Sequence, residues 1–268
     1  CTPLVNDSVL PAESLPLTVN ELTNVAISEA MISKIINKLN PKKAHGCDGV
    51  TIALMQMCPT QISVPLKILF EKSLECGIYP SPWKLVNIQP VHKKKIRQLV
   101  ENYRPISVLP ICGKICEKVM FDEMYSFLVS NSLLSKSQSC YRPGDSCINQ
   151  LLSITTEIFE AFEDFDEVRA LFLDISKAFN KVWYMGLLFK LERNEIKGNL
   201  LRLIKDYLSS WKQRVVLNGQ ETDWEELRSG VPQDSVLGPL LFLIYINELT
   251  DNISSNMKLF ADDSSLFA

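Results

Sequence analysis

Three aspartates are the residues of this chain best placed to do chemistry. Asp174 closes an apolar run, Val168 to Leu173 (VRALFL), and Asp262–Asp263 separates two short apolar runs, Met257 to Ala261 and Ser264 to Ala268. The first run reads as a strand largely buried on both faces, with Asp174 at its carboxyl end. The second reads as a hairpin with both aspartates at its turn, a geometry that Asp tolerates. If hairpin and strand lie side by side in one sheet, three carboxylates converge. Like charges so placed repel or shift their pKa values unless a cation intervenes. A hard cation such as Mg2+ takes carboxylate and phosphate oxygens and keeps waters. Two such ions, about 3.5–4 Å apart, clamp the attacking and leaving oxygens of a phosphoryl transfer. Singly, an aspartate in a turn or at a strand end is commonplace, so specificity has to come from context.

Charge is segregated along the chain. Lys84, Lys93, Lys94, Lys95, Arg97 and Arg104 face only Glu101 between positions 84 and 104, whereas Glu157 to Glu167 is acidic with no base. The total, 28 Lys plus Arg against 31 Asp plus Glu, gives a net charge of −3 and no global hint of a polyanion partner. A local basic cluster still suits one, although most such runs are solvated faces. Eight cysteines and two histidines, His45 and His92, show no paired ligand spacing for structural zinc. Reduced thiols and an intracellular setting are the expectation. A chain of 268 residues, 46% hydrophobic and 22% charged, is not disordered. Its longest mostly apolar run, Val236 to Ile246, falls short of the roughly 18 residues of a membrane span.

The elements that must position these groups read as mixed α/β. Residues 1–25, with Pro3, Pro11 and Pro16, form an extended lead-in. Ile27, Met31, Ile35 and Leu39 mark one helix face, and a second helix from about Ser63 ends at Gly77. Trp83 to Val91 predicts a strand feeding the basic cluster, and Gly113 to Val129 a long helix. Ser146 to Phe165 reads as helix, as do Met185 to Arg193, Gly198 to Ser209 and Ser235 to Leu249. Asn218-Gly219 predicts a hairpin between Gln213–Leu217 and Thr222–Arg228.

The segments FLDISKAFNKVW (Phe172 to Trp183), SGVPQDSVLGPLLFLIYINEL (Ser229 to Leu249) and KLFADDSSLF (Lys258 to Phe267) resemble three successive polymerase motifs of reverse transcriptases. Upstream, NPKKAHGCDGV, PVHKKK, ENYRPISVLP and SCYRPGDS resemble that family's fingers blocks, in the family's order. The likeness is strongest to non-LTR (LINE-type) retrotransposons of the jockey-like group and covers about Asn40 to Ala268. It implies an α/β (α+β) fold, the fingers and palm of a right-hand polymerase, truncated before the thumb. Residues 26–165 would be fingers and upstream region, and 166–268 an incomplete palm. The implied reaction is RNA-directed DNA synthesis by two-metal transfer of dNTPs onto a primer 3′-hydroxyl. Asp174, Asp262 and Asp263 would bind two Mg2+ ions, with Mn2+ as a substitute. Lys93 and Arg104 match the residues that hold the triphosphate, Phe179 matches the gate against a ribose 2′-hydroxyl, and Gln233 matches a nucleotide and template contact. Arg142 and Gly144 match a structural or template-facing block. Partners would be an RNA template with a DNA primer and dNTP, with no membrane. The setting would be cytoplasm and nucleus, and the thumb and endonuclease regions of a parent polyprotein would lie outside this piece.

Departures from the family pattern set up a rival expectation. Asp234 stands where the family has Gly, and Asn180 where it has Asp; Cys140 and Cys47 replace Gly and Pro. One extra negative charge ~6 Å from a polyanion, at an effective dielectric of ~20, costs about 3 kcal/mol, on the order of a hundredfold in rate. The alternative is therefore a catalytically inactive remnant that at most binds nucleic acid. A third reading is a relative of group II intron maturases, which share the fold.

Overall fold

The computed structural model describes residues 20–93, 96–142, 144–163, 167–176, 178–227, 230–231, 234–251 and 253–267. In chain order these form α1 (Glu29–Lys38), α2 (Ile52–Met57), α3 (Pro59–Cys76), β1 (Leu85–His92), β2 (Tyr103–Val108), α4 (Ile111–Ser130), α5 (Cys147–Glu163) and β3 (Ala170–Asp174). There follow α6 (Tyr184–Arg193), α7 (Gly198–Tyr207), β4 (Lys212–Leu217), β5 (Gln220–Glu221), β6 (Glu225–Glu226), α8 (Gly238–Ile246), β7 (Asn256–Phe260) and β8 (Asp263–Phe267).

Local chemistry accounts for most boundaries. The Ser28 hydroxyl accepts a bond from the Met31 N–H and caps α1, and Thr51 does the same for α2 through Leu54. Pro59 opens α3 at its first turn, and Gly77, at φ +69°, closes it in the left-handed conformation. Asn218 and Gly219 take φ +52° and +78°, the pairing a type I′ hairpin needs.

Two sheets result. One has the order β2-β1-β4-β5, with β6 also paired to β4; β1 runs antiparallel to β2 and parallel to β4. The other has the order β3-β8-β7, antiparallel throughout. Among the described residues a single buried cluster runs from Val25 through α1, α3, α4, α6 and α7 to α8. Its aromatic centre is Tyr79, Trp83, Tyr207 and Trp211, with Tyr79 and Tyr207 edge-to-face at 5.0 Å. Residues 20–25 dock on the α6–α7 connection, where Leu22 N–H donates to the Glu195 carbonyl at 2.8 Å.

Two expectations need correction. The apolar strand is not buried: all five residues of β3 are exposed, Phe172 at 69%. Among the described residues β3 is an edge strand paired only with β8, and an apolar run carries no information about what covers its faces. Lys84 does not belong to a basic surface. It is 4% exposed, and its Nζ donates to Asp206 Oδ2 at 2.7 Å and to the Asp206 carbonyl at 2.6 Å, a pair of which the lysine is buried and the aspartate half-buried.

Candidate active site

The β3–β8 ladder sets Asp174 opposite Asp263. One step on, the Ile175 N–H donates to the Asp262 carbonyl at 3.2 Å. Positions 175 and 262 therefore form the hydrogen-bonded pair and 174 and 263 the non-bonded one, in which Cα atoms stand about 4.5 Å apart and side chains share a face. Both side chains are exposed, and Asp262 is half-buried in the two-residue loop that joins β7 to β8. No lysine or arginine among the described residues pairs with any of the three. Nor do three or more His, Cys, Asp or Glu side chains gather into a metal cage among the described residues.

This donor set fits Mg2+ nonetheless. That ion is ordinarily held by one or two carboxylates together with waters and substrate phosphates, not by an all-protein cage. Two hard oxygen donors side by side, open to solvent and without a neutralising cation, meet the condition.

The turn itself is held from behind. Ala261 takes φ +56°, a conformation that costs a non-glycine residue about 1 kcal/mol. Its N–H donates to Gln138 Oε1 at 3.1 Å. Segment 137–139 lies along β7, with Leu259 N–H to the Ser137 carbonyl at 2.8 Å and Ser139 N–H to the Leu259 carbonyl at 3.1 Å. Arg142 Nη1 donates to the carbonyls of Ser135 (3.0 Å) and Gln138 (3.3 Å), which makes it a brace of this loop.

Beside Asp174 a short 3-10 turn carries Phe179 and Asn180. Phe179 is half-buried, stacked on Phe242 at 4.6 Å between ring centroids and edge-on to Tyr141 at 6.2 Å. Its carbonyl accepts the Val231 N–H at 3.0 Å. Gly230, at φ +85°, approaches so closely that a Cβ there would lie 2.5 Å from Asn180 Cα. Glycine is obligatory at this crossing. Gln233 lies outside the described residues.

Asp234 adopts φ +65°, so the backbone keeps the left-handed conformation that glycine favours. Its Oδ2 accepts the Ser107 N–H from β2 at 3.3 Å. It also lines a cavity of about 780 Å³ with Lys34, Lys38, Lys43, Lys114 and Lys118. Lys118 pairs with Asp122 at 2.6 Å; among the described residues the other four lysines make no ion pair. This cationic wall offsets part of the repulsion between Asp234 and a polyanion.

Lys93 and Arg104 flank the end of the β1–β2 hairpin. Arg104 is paired with Val91, and the Lys93 N–H continues the ladder to the Asn102 carbonyl at 2.8 Å. Both side chains thus fall on one face, one diagonal step apart, and both are exposed. Lys94 and Lys95 lie outside the described residues.

Two residues went unnoticed in the sequence. Glu117 is fully buried; its Oε2 accepts the N–H groups of Val236 (2.7 Å) and Leu237 (3.0 Å) just before α8. Burial pushes its carboxyl up to about 7 despite those bonds. The visible signal was a glutamate on the helical stripe Gly113, Glu117, Met120, Met124. Gln138 is the other, and nothing in its sequence neighbourhood marks it.

Comparison with known proteins finds one matching family and several relatives. The reverse transcriptase (RNA-dependent DNA polymerase) family matches residues 91–268. A probable RNA-directed DNA polymerase from transposon BS of Drosophila melanogaster is 29% identical over 88% of this chain and 27% of its own length. The RNA-directed DNA polymerase from mobile element jockey of the same species is 31% identical over 88% of the chain and 25% of its own length. A probable RNA-directed DNA polymerase from transposon X-element of that species is 29% identical over 87% of the chain and 26% of its own. The chain thus spans about a quarter of the length of these curated relatives.

Proposed function

Because this chain belongs to the reverse transcriptase family, we propose that it forms the fingers (26–165) and palm (166–268) of an RNA-directed DNA polymerase from a non-LTR retrotransposon. The observation that carries this reading is the face-to-face register of Asp174 and Asp263 beside the Asp262 turn. Its substrates are a dNTP and a DNA primer annealed to an RNA template, and its setting is the cytoplasm and nucleus, where such an RNA and its target DNA are found.

The primer 3′-hydroxyl attacks the α-phosphorus in line, the bond to the β-phosphate oxygen breaks, pyrophosphate leaves and the hydroxyl proton passes to solvent. Asp174, Asp262 and Asp263 would hold two Mg2+ ions, for which Mn2+ substitutes. Such ions supply Lewis-acid stabilisation of the attacking and leaving oxygens. Arg104 offers a planar fork to phosphate, and Lys93 a point charge on the same face. Phe179, fixed by Phe242 and by its carbonyl bond to Val231, would limit room at the sugar 2′ position. The lysine-lined cavity bordering Asp234 suits the template backbone, because phosphate contacts position nucleic acid while base pairing reads it.

The test is single-nucleotide extension of oligo(dT) on poly(rA). Mg2+-dependent addition of dTTP in preference to dGTP is the expected result. Nucleic-acid binding without extension, with either Mg2+ or Mn2+, would overturn the reading in favour of a non-catalytic remnant, the alternative that Asp234 favours. If Phe179 is the gate, Phe179→Val raises UTP incorporation relative to dTTP by about tenfold or more, as expected from losing one steric discriminator worth 1–3 kcal/mol; an unchanged ratio returns Phe179 to the core.

A further inference from the structure

The Asp262 turn is not self-supporting. Ala261, which precedes Asp262, occupies a left-handed conformation at φ +56° that favours glycine. Its side chain is buried, so solvent cannot satisfy the local backbone in place of protein. The partner supplied is a single carboxamide. Gln138, 5% exposed, accepts the Ala261 N–H at 3.1 Å and the Cys140 N–H at 3.0 Å on the same Oε1.

The other half of that carboxamide is unused. Gln138 Nε2 is buried and has no hydrogen-bond partner among the described residues. A buried donor left unpaired is costly, and natural proteins keep few of them. What the side chain contributes here is its oxygen, which ties two backbone amides from separate segments to one point. Around it, the backbone bonds of Ser137 and Ser139 to Leu259 fix the height of the loop along β7. They act on β7; among the described residues the Ala261 N–H itself is met only by Gln138.

We propose that Gln138 is a positioning residue for the carboxylate turn: its Oε1 holds Ala261 in the left-handed conformation and so fixes where the Asp262 and Asp263 carboxylates stand relative to Asp174. It does not touch substrate. This inference rests on the metal-binding role proposed above for those aspartates. An error on the order of 1 Å in such a constellation costs about a hundredfold in rate.

Two measurements on the 268-residue chain separate this from a general packing role. The first needs no activity. In Gln138→Met, which keeps the bulk and removes the acceptor, amide hydrogen exchange at Ala261 should accelerate tenfold or more, while amides of α4 and α8 keep their wild-type rates. Unchanged exchange at Ala261, or acceleration spread evenly over the chain, would overturn the proposal even if the polymerase reading holds. The second is kinetic. Gln138→Met should lower kcat for dTTP addition ten- to a hundredfold and raise the Mg2+ concentration for half-maximal rate, with KM for dTTP unchanged. In an Ala261→Gly background, where the turn conformation is unstrained, the same substitution should cost less. Additive effects in that cycle would contradict positioning through Ala261. A wild-type chain with no Mg2+-dependent extension, but with local exchange as stated, would refute the polymerase reading and leave the turn's support intact.

Discussion

The helical core and the carboxylate sheet of this protein are built to opposite standards. Leu200, Leu203, Ile204, Leu240 and Leu241 in α7 and α8 are almost fully buried, and they share one cluster with α1, α3 and α4. In the three-stranded sheet, Leu171, Phe172 and Leu173 of β3 stand 47–69% exposed. Stability therefore resides in the helices, whereas the chemistry proposed above would sit on a thin edge-bounded sheet whose geometry comes from ladder register and from the brace proposed at Gln138. Residues that stabilise the fold and residues proposed to perform the reaction are largely different sets, and substitutions should separate them.

The largest separation is expected from truncations. Leu203→Ala should destabilise by about 3–4 kcal/mol through lost burial and a residual cavity. Phe172→Ala on the exposed strand should cost about 0.5 kcal/mol or less. Urea denaturation of both variants measures the contrast; equal losses would mean that the sheet is buried in solution.

Next in size is a pH effect confined to the core. Burial raises the Glu117 carboxyl to about 7 in the folded chain, above its ordinary value. The folded state then binds the proton more tightly than the unfolded state. The stability this contributes is fully present below the unfolded pKa and is lost as pH rises through about 7. The loss amounts to roughly 3 kcal/mol for one such group. Glu117→Gln, which keeps an acceptor oxygen for Val236 and Leu237, should flatten the fall in stability between pH 5 and pH 8. A slope identical to wild type would show that Glu117 does not titrate there.

The smallest effect belongs to the exposed carboxylates. Asp263→Asn removes a like-charge contact with Asp174, so without divalent cation it should stabilise by about 0.5 kcal/mol. The same variant should lose the rise in melting temperature that Mg2+ gives the wild type. A retained Mg2+ response would move the metal away from this pair.

How much of this was legible in the sequence follows from the range of each interaction. Gly77 ending α3, the Asn218-Gly219 hairpin and the β7–β8 hairpin rest on neighbours in the chain, and all were readable. The burial of Lys84 was not, because its partner Asp206 is distant in sequence. The exposure of β3 was hidden for a related reason: periodicity reports a strand's own polarity and not its cover. Among the candidate residues, the aspartates were found from apolar flanks and family motifs. Their register, 174 opposite 263, depends on pairing across the chain and emerged only from the fold. Glu117 and Gln138 act through backbone amides of remote segments, which no spacing rule encodes.

The Asp174–Asp263 register is the proposed seat of a metal-dependent polymerase reaction. Primer extension on poly(rA)/oligo(dT) with dTTP and Mg2+, comparing wild type with Asp174→Asn, tests it most directly. Losing a carboxylate that supports several kcal/mol of transition-state stabilisation should reduce the rate on the order of a thousandfold, with urea stability changed by about 0.5 kcal/mol or less because Asp174 is exposed. Extension by Asp174→Asn at the wild-type rate would contradict the account.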